Sequence, residues 1–168
     1  MKNYKPELLL LLFVILGSTN PIYSQSKIEM SAGVGMPEFL NARIKYGKNL
    51  QIGACAGFIT GSFYGNSYFD WSGAAEVTYH FSGKSKFIEQ PPWYVLGGLG
   101  YYYLPMSNDF GKYSTGFYPR LGRTINFSKS SGANLDIGLF LPLSPSPDYQ
   151  TIQFQVLWTW SFSFFIRL

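Results

Sequence analysis

The last seventeen residues of the chain are written in strict alternation. Ile152, Phe154, Val156, Trp158, Trp160, Phe162, Phe164, Ile166 and Leu168 are apolar. Between them stand Gln153, Gln155, Leu157, Thr159, Ser161, Ser163, Phe165 and Arg167, which are mostly polar. At helical period the apolar set would smear around the axis, whereas on a strand it occupies one face. The segment is also long enough to cross a bilayer at a tilt, which takes about 9–11 residues of strand.

The same parity recurs upstream. Leu40, Ala42, Ile44 and Tyr46 alternate with Asn41, Arg43 and Lys45; Leu50, Ile52, Ala54, Ala56 and Phe58 alternate with Gln51, Gly53, Cys55 and Gly57. Trp71, Gly73, Ala75, Val77, Tyr79 and Phe81 interleave with Ser72, Ala74, Glu76, Thr78 and His80, and Leu135 to Leu143 repeats the pattern. Ile28–Val34, Trp93–Tyr103 and Phe117–Phe127 complete a set of eight strands. Between strands lie turn-forming stretches: Gly47 to Asn49, Ser82 to Lys86 with Pro91-Pro92, Pro105 to Gly111, Ser128 to Asn134, and Ser144 to Asp148. None is long enough for a crossover helix, so successive strands pair antiparallel in a meander.

Composition narrows the function classes. Only 13% of the 168 residues are charged while 19% are aromatic, and the 13 Lys and Arg are scattered rather than clustered, so no continuous surface is offered to nucleic acid. With the single cysteine Cys55 there is no intrachain disulfide, no CxxC motif and no zinc set, and no metal or cofactor is expected. Residues 1–24 read as a cleaved signal peptide: Lys2 and Lys5, then nine apolar residues from Leu8 to Leu16, too few for the roughly 20 of a membrane helix. Cleavage before Gln25 leaves 25–168 as one barrel domain.

An eight-stranded meander that closes on itself admits two orientations. A soluble, lipocalin-like carrier would turn its apolar face inward around a ligand; a membrane barrel would turn it toward lipid. The polar face is built from Gly33, Gly35, Gly53, Gly57, Gly98, Gly100, Gly122 and Gly138 with Ser, Thr and Gln and few charges. A soluble surface should carry about 25–35% charged residues, so this face suits a packed lumen. Tyr46, Trp71, Tyr79, Trp93, Tyr101 and Tyr103 near strand ends fit interfacial aromatic girdles. The expectation is an all-β, eight-stranded antiparallel up-and-down transmembrane β-barrel.

Several stretches carry a resemblance: Gly33-Val-Gly-Met-Pro37 with Asn41-Ala-Arg-Ile-Lys-Tyr-Gly47, Pro92-Trp93-Tyr94 with Gly97-Gly-Leu-Gly-Tyr101, and Leu121-Gly-Arg-Thr-Ile-Asn-Phe127. On these the chain resembles small eight-stranded outer-membrane barrels of Bacteroidota over its whole mature length. The resemblance implies a Gram-negative outer-membrane location, with outer-membrane lipid as its surroundings and the barrel-assembly machinery as a partner during biogenesis. The last strand is similar to the signal that machinery reads, with Leu168 where Phe is usual. These motifs specify a barrel and no activity.

With both termini on the periplasmic side, Glu29, Lys45, His80, Asp136 and Arg167 fall toward that end of the lumen and Arg43, Glu76 and Arg120 near its middle. Glu29 is expected between Lys45 and Arg167, and Asp136 beside Arg167, because charges withdrawn from water require partners. This polar network would plug the barrel, and eight strands leave no aqueous channel. The enzymatic alternative is His80-Phe-Ser82, similar to the His-x-Ser pair of outer-membrane lipid A deacylases, in which same-face spacing supplies base and nucleophile. Gly83 replaces the Asn that usually follows, and the pair lies at the inner strand end, remote from lipid A. Arg123 breaks the outward parity, through snorkelling to headgroups or a bulge at Pro119. Cys55 is a lumen space-filler. The outward segments Met36–Phe39, Gly61–Asp70 and Ser144–Gln150 either cap the mouth or meet a protein or glycan; the non-catalytic, structural or accessory reading leads.

Overall fold

A computed structural model of the chain describes residues 27–63, 66–104, 112–143 and 157–168. Eight strands run in order: β1 (Lys27–Met36), β2 (Phe39–Gly47), β3 (Leu50–Phe63), β4 (Asn66–Ser82), β5 (Trp93–Leu104), β6 (Lys112–Asn126), β7 (Ser131–Pro142) and β8 (Leu157–Arg167). Each pairs antiparallel with its sequence neighbours, and β1 closes the barrel against β8 from Glu29↔Arg167 to Met36↔Trp160. The expected signal segment 1–24, the turn 105–111, the segment Ser144–Gln150 and the first part of the last alternating run, Ile152 to Val156, lie outside the described residues.

Two connections are shorter than the turn chemistry suggested. The ladder between β3 and β4 continues from Ile59↔Asp70 to Phe63↔Asn66, so most of the segment expected as an outward loop at 61–70 is strand. Thr60, Phe63, Tyr68 and Phe69 are strand formers, and Gly61 alone does not interrupt pairing. β7 likewise begins at Ser131, because Ser131↔Ile166 through Asn134↔Ser163 already belong to the ladder with β8.

Alternation along the strands sorts the side chains by polarity, in the opposite sense to a water-soluble domain. Ile44, Ile52, Val77, Leu99, Leu121, Ile137, Trp158 and Phe164 face outward and are exposed. Glu29, Arg43, Lys45, Gln51, Glu76, Arg120, Asn134, Asp136, Ser161 and Arg167 face inward and are buried. Trp158 and Trp160, which a soluble carrier would need inside, lie on the outer face. The lipocalin-like arrangement is therefore not the one the chain adopts.

Large side chains are packed in the interior. Tyr94, Leu96, Tyr102, Tyr118 and Phe140 form its apolar part, with Tyr102 edge-on to Tyr118 at 5.8 Å and to Phe140 at 5.4 Å between ring centroids. Room for these rings comes from glycines on neighbouring strands. A Cβ on Gly98 would stand 2.0 Å from Cζ of Tyr118, one on Gly116 2.1 Å from Cζ of Phe140, and one on Gly122 2.3 Å from Cζ of Tyr94. Glycine on the inner face is thus the complement of a large ring across the strand pair.

Candidate functional site in the charged lumen

The chemistry-bearing side chains of the fold converge inside the barrel. Among the described residues four carboxylates, Glu29, Glu38, Glu76 and Asp136, share the lumen with four cations, Arg43, Lys45, Arg120 and Arg167, and all eight are buried. Their formal charges cancel, and ion pairs hold all but Lys45 in a low-dielectric interior.

Five of the eight form one alternating chain. Arg43 Nε donates to Glu76 Oε1 at 3.1 Å, and Arg43 Nη2 lies 3.6 Å from Glu38 Oε1. Arg120 Nη2 donates to both oxygens of Glu38 at 2.9 Å, and Arg120 Nη1 donates to Asp136 Oδ1 at 3.2 Å. The order is Glu76, Arg43, Glu38, Arg120, Asp136, negative at both ends. A tyrosine hydroxyl meets each end: Tyr118 donates to Glu76 Oε1 at 2.8 Å and Tyr94 to Asp136 Oδ2 at 2.9 Å. Arg43 Nη1 also donates to Ser161 Oγ, Arg120 Nε to Thr159 Oγ1 and Arg120 Nη2 to the Met36 carbonyl, while Arg43 Nη2 is buried without a hydrogen bond. Fixed forks of this kind hold their geometry better than lysines would.

The second group sits at the end of the barrel where β1 begins and β8 ends. Arg167 Nε donates to Glu29 Oε2 at 2.9 Å and Arg167 Nη1 to Asn126 Oδ1 at 2.7 Å, while Asn134 Nδ2 donates to Glu29 Oε1 at 3.1 Å. Lys45 is the cross-strand neighbour of Glu29, yet its ammonium lies over the Tyr94 ring, 5.6 Å from the centroid.

All seven residues expected in the lumen network are buried in the interior, and two of the expected pairings differ: Lys45 lies over Tyr94 instead of pairing with Glu29, and Asp136 changes partner. Asp136 pairs with Arg120 and not with Arg167, because register sets it opposite Ser161 on β8 while Arg167 lies at the strand end. Sequence parity missed Glu38 altogether. It lies between β1 and β2, where alternation stops, and it is turned inward beside Phe39, which takes a left-handed backbone (φ 54°), and beside the register shift between Phe39 and Leu40 against Phe58. Its available signal was Gly57, where a Cβ would meet Glu38 Cβ at 2.9 Å. The inward tyrosines were also missed; Gly98 and Gly122 were the signals for them.

His80 and Ser82 do not form a base and nucleophile. His80 is buried, its Nδ1 is 2.8 Å from the Pro91 carbonyl and its Nε2 3.4 Å from Gln51 Oε1. Between His80 and Ser82 the register against β5 shifts, so Ser82 pairs with Trp93 and is exposed while His80 points inward. The extra residue of a bulge cancels the same-face relation that a spacing of two implies. Arg123 resolves the other way. Pairing with β5 is continuous through Pro119, and pairing with β7 skips Tyr118 and Pro119 but resumes in the same register, so no bulge shifts parity there. Arg123 faces outward and stacks over its cross-strand partner Trp93 at 5.4 Å.

Glu38, Cys55 and Glu76 place potential metal-ligating atoms within 4.8 Å of one another. Both carboxylates are already engaged by Arg43 and Arg120, so an added cation would have to compete with two guanidinium groups.

Such a closed, antiparallel, eight-stranded barrel with an apolar outside and a charged inside has the architecture of outer-membrane barrels. Among solved structures it is similar to the N-terminal β-barrel domain of Pseudomonas aeruginosa OprF, with a TM-score of 0.57 and 13% identity, covering 85% of this chain and 96% of that one. At that identity the likeness concerns the fold. No protein-family model matches the chain, and no curated protein matches it.

Proposed function

We propose that the protein is an integral outer-membrane β-barrel with a sealed, charge-balanced lumen, serving a non-catalytic structural or accessory role through its lipid-facing surface and its outward segments. One observation carries this reading: the exposed face is aliphatic and aromatic while the buried face holds four carboxylates and four cations, with Arg43, Arg120 and Arg167 paired to the carboxylates and Lys45 over the Tyr94 ring. In water that arrangement would place a continuous apolar belt against solvent; in lipid each face meets its preferred surroundings. The OprF barrel likeness supports the fold half of the reading, and the Bacteroidota affiliation and the cleaved signal at 1–24 rest on sequence. Expression of the full chain in a Gram-negative host tests it. The expected result is a detergent-extracted outer-membrane band whose gel mobility changes on boiling, and no unitary conductance steps in planar bilayers. A freely soluble product, or stable conducting steps, would overturn the membrane or the sealed-lumen part respectively.

A further inference from the structure

Once the balanced lumen is set aside, the charged side chains described on the outside of the barrel all fall at one end. Lys48, Lys84, Lys86, Arg123 and Lys129 stand there against one described acidic side chain, that of Glu89. This is the end where β1 begins and β8 ends, with the connections β2–β3, β4–β5 and β6–β7. Glu89 pairs with Lys48 at 3.1 Å, which leaves Lys84, Lys86, Arg123 and Lys129 without a carboxylate partner among the described residues. Exposed rings are interleaved with them: Phe87 follows Lys86, Phe127 precedes Lys129 by two positions, and Trp93 lies under Arg123.

The connection that carries Lys84 and Lys86 is held in place. Gln90 Nε2 donates to the Lys48 carbonyl at 2.5 Å, the Pro91 carbonyl meets His80 Nδ1, the Pro92 carbonyl accepts from the Thr124 amide at 2.8 Å, and Ser85 Oγ accepts from Asn126 Nδ2 at 3.2 Å. Segment 83–92 is therefore stitched to the β2–β3 connection, β4 and β6 across the barrel end, and its lysines are presented from a fixed base.

We infer that this collar is a binding surface for anionic phospholipid headgroups of the leaflet on the terminal side, an inference that rests on the membrane reading above. Cations alternating with aromatic rings at the edge of an apolar belt match the layering of a bilayer interface, rings at the glycerol level and cations at the phosphates. Charge complementarity selects the occupant: a zwitterionic surface offers no net attraction, whereas an anionic one favours each nearby Lys or Arg by about fivefold in partition. Trp93, cross-strand partner of Arg123, is the natural reporter.

The test uses the full chain with Trp71, Trp158 and Trp160 replaced by Phe, refolded into phosphatidylcholine vesicles containing a minor fraction of phosphatidylglycerol, one of the two lipids carrying brominated acyl chains at equal mole fraction. Brominated phosphatidylglycerol should quench Trp93 as though enriched by at least about fivefold. High salt or the variant K84Q/K86Q/R123Q/K129Q should remove the difference. Equal quenching by both lipids overturns the inference while leaving the membrane barrel intact. If neither brominated lipid quenches any tryptophan of the unsubstituted chain, the membrane reading itself fails.

Discussion

Both carboxylate oxygens of Glu38 lie 2.9 Å from Nη2 of Arg120, so the connection between β1 and β2 is tied to β6 across the barrel interior. Glu38 also faces Arg43 at 3.6 Å, which makes it the central anion of the alternating chain. Removing its charge leaves two buried guanidinium groups with reduced compensation, a change that costs about 3–5 kcal/mol when a buried pair is broken from one side. Glu38→Gln should therefore lower the urea midpoint of the lipid-refolded barrel by an amount corresponding to roughly that loss, and Glu38→Gln combined with Arg120→Met should be less destabilised than the two single changes added together.

Gly98 and Tyr118 test the notch that admits a ring. With a Cβ 2.0 Å from the ring, Gly98→Ala forces displacement of a packed side chain, which costs about 1–3 kcal/mol. Gly98→Ala in a Tyr118→Leu background should lose less than in the wild type. Gly73 is the contrast: its Cβ would meet its nearest neighbour at 3.6 Å, and Gly73→Ala should be neutral or stabilising by up to about 1 kcal/mol. Unfolding of the wild type, the three single variants and the double variant, compared in one lipid, decides both.

Leu99 is exposed on the outer face of β5, a position where arginine would be harmless to a water-soluble protein. In a bilayer Leu99→Arg should cost about 2–4 kcal/mol, read from the shift in reversible unfolding in vesicles. A change under 0.5 kcal/mol, the usual scale of a surface substitution, roughly speaking, would speak against lipid contact at this depth.

His80 and Ser82 are separated by a bulge, and both ring nitrogens of His80 have partners. Ser82→Ala should leave the acylation of lipid A in an expressing host the same as with the unsubstituted chain, measured by mass spectrometry of extracted lipid. A difference in acyl number between the two strains would restore the hydrolase reading.

The strands were legible because each face of a strand repeats every second residue. Trp158, Thr159, Trp160 and Ser161 read as outside, inside, outside, inside, and the barrel places them so. That parity also delivered the charged lumen, from Glu29 to Arg167. Legibility ended where parity ends. Glu38 belongs to a connection, and its inward direction is set by the backbone around Phe39 and by Gly57 across the ladder, neither of which has a periodic signature. Ser82 shares parity with His80 in the sequence and loses it through one extra residue. Tyr94, Tyr102 and Tyr118 were not singled out in the sequence, yet their positions are inward, and glycines such as Gly98 and Gly122 opposite Tyr118 and Tyr94 are what a ring in a narrow interior requires. Ion-pair choice was the least visible, because Asp136 has candidate cations on both flanking strands and only register decides for Arg120.

All four tryptophans lie on the outer face, with Trp71 54%, Trp93 38%, Trp158 73% and Trp160 45% exposed. Quenching of their fluorescence in the refolded, unsubstituted chain by phosphatidylcholine with brominated acyl chains, set beside quenching by aqueous iodide, tests the orientation of the two faces most directly. The account predicts strong quenching by the brominated chains and weak quenching by iodide. The reverse, strong iodide quenching of a folded protein that the brominated chains leave bright, would contradict it.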